Sequence, residues 1–114
     1  MPDATATVQS LRDRVAAFVR ERDWEKYHNP KDLAISLNIE ASELLELFQW
    51  REPREVDLRD PAFREAMEDE LADVFIYCLS LANAIGSDLS DVTVRKLVKN
   101  ERKYPAGEWR GRAR

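Results

Sequence analysis

The chain has 114 residues, with 22 Asp and Glu against 18 Lys and Arg, a net charge of −4, one Cys and one His. That length makes one domain, and a lone Cys excludes both a disulfide framework and a Cys-rich zinc site. The acidic balance argues against duplex nucleic acid. No apolar run approaches the roughly 20 residues of a membrane span, and the opening MPDATATVQS lacks a basic-then-apolar order, so a cytoplasmic protein is expected.

Only three Gly residues occur, two of them in the last eight positions, and no stretch alternates with period two. An all-α chain of four helices is expected. Helix 1 is expected from Thr5 to Trp24, with Val8, Leu11, Val15, Phe18 and Val19 at helical spacing. Helix 2 opens on Asn29-Pro30, an N-cap followed by a Pro whose missing N–H is harmless at the first position. It is expected to reach Trp50, with Leu33, Leu37, Ala41, Leu44, Leu45 and Phe48 as its stripe. A polar loop with Pro53 follows. Helix 3 opens on Asp60-Pro61 and ends at Gly86, with a stripe from Phe63 to Ile85. Helix 4 spans about Asp88 to Arg102. Residues 1–105 form the helical domain, and 106–114 are expected to be a loose basic tail bearing Arg110, Arg112 and Arg114.

The chemistry lies in acidic residues. With 100° per residue, Glu40 lies beside the helix 2 stripe and Glu43 about 60° to one side of Glu40. Glu70 and Asp73 stand in the same relation on helix 3. Antiparallel packing of the two stripes leaves both acidic edges on the same side of the seam, and a short connector favours that packing. Glu43 and Glu40 lie 7 and 10 residues before Trp50, and Glu70 and Asp73 lie 9 and 12 residues after Pro61. The four carboxylates therefore converge within about one turn. A single acidic residue beside a stripe is ordinarily solvated surface. Two matched pairs at matched levels repel unless a cation neutralises them. All-oxygen ligands suit Mg²⁺ or Mn²⁺, and a di-iron bundle would require Glu-x-x-His motifs that are absent.

Glu40-x₂-Glu43 and Glu70-x₂-Asp73 resemble the metal signature of the MazG-like nucleotide pyrophosphohydrolases. The flanking residues add specificity: Arg22-Asp23-Trp24 with Tyr27-His28, Leu47-Phe48-Gln49-Trp50, Asp69 to Val74 with Ile76-Tyr77, and Lys96, Asn100 and Lys103-Tyr104-Pro105. They are similar to the dCTP pyrophosphatase branch over roughly Val8 to Pro105. The resemblance implies a four-helix bundle working as a homodimer or homotetramer. It implies Mg²⁺-dependent cleavage of a nucleoside triphosphate, dCTP-like as a first guess, to the monophosphate and pyrophosphate. It implies Glu40, Glu43, Glu70 and Asp73 as metal ligands. A His that the branch carries in helix 1 is Val15 here, which leaves the base preference open.

A spare carboxylate would take the proton of the attacking water, with Glu43 and Glu46 as the candidates. Lys96, Asn100 and Lys103 share one face of helix 4. Spacing alone reads as a solvated basic face, and the resemblance implies contacts with the β and γ phosphates, joined by Tyr104. Trp24, Trp50, His28 and Tyr77 would wall the base, with packing as the alternative for each. Cys78 falls within the helix 3 stripe and reads as packing. The competing function is a non-catalytic helical oligomerisation or regulatory module with an acidic surface. A lone protomer would offer only a shallow groove, so a second copy is expected to complete the site.

Overall fold

The computed structural model describes residues 1–112, and among them the chain is helical with no strand. Arg114 of the expected basic tail lies outside the described residues. The helices are α1 (Val8–Glu21), α2 (Pro30–Glu46), α3 (Pro61–Ile85), α4 (Leu89–Lys103) and one turn, α5 (Ala106–Trp109).

Local chemistry sets each boundary. Thr7 caps α1 through a reciprocal pair of hydrogen bonds with Ser10, so the helix starts at Val8, the first residue of its apolar pattern, and three residues after the expected Thr5. It ends before Trp24 because Asp23 adopts a left-handed backbone, φ 55°, and the Trp24 N–H returns to the Val19 carbonyl. A single tight turn, Glu25–Tyr27, then leads to the Asn29 cap and Pro30. Helix α2 stops at Glu46 rather than Trp50. From Leu47 to Gln49 the N–H groups bond three residues back, and this tighter winding turns the chain out of the helix. Asp60 caps α3, whose 25 residues end at Gly86 in the left-handed conformation that glycine adopts without strain. Asp88 caps α4 through the Asp91 N–H. The tail is partly ordered: Trp109 in α5 packs edge-on against Tyr104, ring centroids 5.0 Å apart.

The main seam joins α2 to α3, and α1 packs on α3 more lightly. The α2–α3 pairing is antiparallel. Phe48 meets Phe63 at one end, with centroids 5.7 Å apart. Glu43 and Glu70 approach each other in the middle, and Ser36 and Tyr77 line one cavity further along. Two hydrogen bonds between Arg12 and Asn83, at 2.9 and 3.2 Å, tie α1 to α3.

The buried apolar core is small: Val19, Leu33, Phe63, Leu79 and Ala82. Several stripe residues expected inside are open to solvent, among them Phe18, Leu71, Phe75 and Ile85. Helix α3 is apolar on more than one face, and the packed helices of one chain cover only part of it. Helix α4 buries no residue, leaves Val94, Leu97 and Val98 exposed, and stands off from the others. The radius of gyration is 17.1 Å, against about 13 Å for a compact chain of this size.

Candidate functional site

Antiparallel pairing lays two strips side by side. On α2 the strip is Leu33, Ser36, Glu40 and Glu43. On α3 it is Glu70, Asp73, Tyr77 and Ser80. Both follow alternating steps of three and four residues, so each stays on one helix face. Carboxylates occupy one end of the paired strips, and aromatic and hydroxyl groups occupy the other.

At the acidic end, Glu40, Glu43 and Glu70 each offer an oxygen within 4.8 Å of the others. One oxygen of Glu40 and one of Glu70 (Oε2 in each) are buried without a hydrogen-bond partner. Burial is the largest cause that raises the Glu40 carboxyl, from 4.5 to about 7. A hydrogen bond shared with Glu43, which requires a proton on one of the pair, adds to it, as do the charges of Glu43, Asp73 and Glu70. Glu70 is raised by the same causes: burial first, then Glu43, then the charges of Asp73 and Asp69. Asp73 therefore acts on the cluster electrostatically, although its oxygens fall outside the three-residue group. Glu46 is exposed at the last position of α2 and is not in the cluster.

Hard-oxygen donors that converge, repel and leave buried lone pairs unpaired form a cluster that can bind a metal ion. No His or Cys takes part in the cluster.

At the other end, three cavities meet at His28, which lines all of them. One, of about 380 Å³, is largely apolar and includes Phe18, Trp24, Phe75 and Tyr77. A second, of about 310 Å³, is more polar, with Glu25, Ser80 and Asn83. Val15 borders both. Trp24 is held by an edge-on contact with Phe18 at 5.8 Å, and the Arg22 guanidinium lies 3.6 Å from the Phe18 ring centroid. Trp24, His28 and Tyr77 line two of these cavities together.

Other candidates lie apart. Trp50 is 87% exposed and lines none of these cavities. Lys96 and Asn100 border a cleft on α4 itself, and Lys103 is exposed near the end of that helix. Tyr104 packs on Trp109 rather than on the α2–α3 strips. Cys78 is half-buried on α3, and burial raises its thiol. Sequence pattern alone does not single out Ser80, the buried polar side chain beside the groove. Its signal is a hydroxyl between Leu79 and Leu81 in an otherwise apolar stretch.

Residues 35–113 match the model of the MazG-like family. The chain belongs to the MazG-like family. It is 38% identical over 109 residues to dCTP pyrophosphatase 1 of Bos taurus, covering 94% of this chain and 64% of that one. It is 40% identical over 102 residues to dCTP pyrophosphatase 1 of Homo sapiens, covering 88% of this chain and 60% of the relative. The chain therefore spans less than two-thirds of the length of these relatives. The crystal structure of a pyrophosphatase from Archaeoglobus fulgidus superimposes with a TM-score of 0.75 at 37% identity, over 92% of this chain and 98% of that one. Among the described residues of this MazG-like chain, no helix is long and apolar enough to cross a membrane.

Proposed function

We propose that this MazG-like chain is a metal-dependent nucleoside triphosphate pyrophosphohydrolase that releases a monophosphate and pyrophosphate. The carrying observation is the position of three converging carboxylates at one end of the α2–α3 pair, whose other end borders a cleft lined by Trp24, Tyr27, His28 and Tyr77. The family match, the dCTP pyrophosphatase relatives and the pyrophosphatase structure support the same reading.

Glu40, Glu43 and Glu70, with Asp73 beside them, would hold Mg²⁺. When bound, the ion supplies charge neutralisation at the triphosphate and lowers the pKa of water. The chain's residues do the rest. Trp24, His28 and Tyr77 seat the base, and the paired strips orient the α-phosphate toward the carboxylates. A carboxylate takes the proton of the attacking water. Glu43 sits within the cluster and suits that role better than the outlying Glu46. The α–β phosphoanhydride bond breaks, and pyrophosphate leaves. A dCTP-like pyrimidine nucleotide is the first substrate to test.

The working form is a homodimer or homotetramer. The chain exposes 9193 Å², whereas a compact monomer of 13.3 kDa exposes about 6,500 Å². The excess has the scale of an obligate interface. Helix α4 makes few contacts with the other helices of its own chain, and in this oligomer Lys96, Asn100 and Lys103 reach a bound triphosphate from another copy.

The deciding experiment is product-resolved turnover of a dNTP and NTP panel with Mg²⁺ and with EDTA. Metal-dependent monophosphate plus pyrophosphate is expected. No turnover on any nucleotide would favour the helical module instead. Release of inorganic phosphate would move the scissile bond.

A further inference from the structure

Ser80 is 95% buried, at 5% relative exposure, on the strip that continues from Asp73 through Tyr77. The side chain is enclosed by its neighbours, and it lines two cavities. Helical Ser and Thr commonly bond the carbonyl one turn back. Ser42 and Thr93 do so in this chain, at 2.9 and 2.7 Å. Ser80 makes no side-chain hydrogen bond among the described residues, and it borders both the apolar and the polar cavity. Its nearest functional neighbour on the strip is Tyr77, one turn back. Asp73 lies seven residues back, a rise of about 10 Å along the helix. A nucleoside whose α-phosphate sits at the carboxylates would reach this depth with its base.

Besides Ser80, the polar side chains lining these two cavities are Arg14, Trp24, Glu25, His28, Tyr77 and Asn83. Asn83 is committed to Arg12 through both its amide oxygen and its amide nitrogen. Val15, Val19, Phe18 and Phe75 offer no hydrogen bond. An apolar wall discriminates weakly between bases, whereas a buried polar group that pairs with one substrate rejects analogues that leave it unpaired.

We propose that the Ser80 hydroxyl is a specificity-determining group that hydrogen-bonds an edge of the nucleobase. This rests on the pyrophosphohydrolase reading above. The hydroxyl can donate and accept, so it meets either an amino or a carbonyl edge. Because the contact exists equally before and during bond cleavage, it acts on KM and leaves kcat alone.

The test is Ser80→Ala with the four dNTPs and Mg²⁺. Ala favours the helix, so the variant should fold with a Tm close to that of the wild type. KM for the preferred nucleotide should rise about tenfold, kcat should hold, and the ranking of bases should flatten. The Mg²⁺-induced thermal shift should be unchanged. Wild-type turnover with an unaltered ranking in the variant overturns this inference alone. No turnover by the wild type overturns the functional reading and this inference together.

Discussion

Glu40 and Glu70 face each other across the α2–α3 seam, and each buries a carboxylate oxygen with no hydrogen-bond partner. Folding alone gives no return for this arrangement, because like charges repel and desolvated oxygens cost free energy. Binding a cation does. Glu40→Gln and Glu70→Gln should therefore raise the Tm of the metal-free protein while reducing Mg²⁺-dependent pyrophosphate release at least about a hundredfold. Thermal denaturation and turnover, measured on the same preparations, check both halves. Wild-type activity in either variant would remove that residue from the ligand set.

The same repulsion predicts an unusual pH profile. The folded-state value of Glu40 is raised from 4.5 to about 7, so the folded protein holds a proton that the unfolded chain releases. Its stabilisation is complete below about 4.5 and is lost as pH rises through about 7. Glu70 shifts in the same direction. The Tm of the metal-free protein should fall by a few degrees between pH 5 and pH 8. Mg²⁺ must displace that proton, so its stabilising effect should grow over the same range. Scanning calorimetry with EDTA and with Mg²⁺ reads both trends. A metal-free Tm that climbs toward pH 8 would contradict the shifted carboxyl.

The sequence carries the register of the site because that register is helical geometry. The Asn29-Pro30 and Asp60-Pro61 starts and the Gly86 stop fix where α2 and α3 begin and end. Matched spacing then brings Glu40, Glu43 and Glu70 to one level. The turn before Trp24 is less legible, since it depends on a left-handed Asp23, which a periodic pattern does not encode. Exposure is the least legible property. Leu71 and Phe75 are apolar and correctly placed on α3, yet one chain lacks the elements to cover them. Whether a stripe packs inside a protomer or against another copy leaves the same pattern in the sequence.

Trp24 gives a prediction within one chain. Its ring borders the apolar cavity with Tyr77 and is braced by Phe18. Stacking on a base contributes about 1–3 kcal/mol. Trp24→Ala should raise KM about tenfold or more, with a smaller change in kcat. Steady-state kinetics on the preferred nucleotide measure the split. Unchanged KM would make Trp24 a packing residue and move the base elsewhere.

Helix α4 gives the sharpest test of the assembled site. Helix α4 makes few contacts with the other helices of its own chain, and in the proposed oligomer a working site combines Glu40 from one copy with Lys96 from another. Glu40→Gln and Lys96→Ala should each be severely impaired alone. In a mixed dimer, one of the two equivalent sites carries both defects and the other carries neither. Random mixing then restores about a quarter of wild-type activity. The experiment is to unfold and refold the two variants together, verify mixed oligomers by native mass spectrometry, and measure pyrophosphate release. Restoration requires that the basic face act across a subunit boundary, because no pairing of defective chains can repair a site built within one. Mixed oligomers without restored activity would place Lys96 in the same chain's site as Glu40, and an active Lys96→Ala variant would return it to the solvated surface. Light scattering supplies the companion result: a fully active monomer would rule out the shared site altogether.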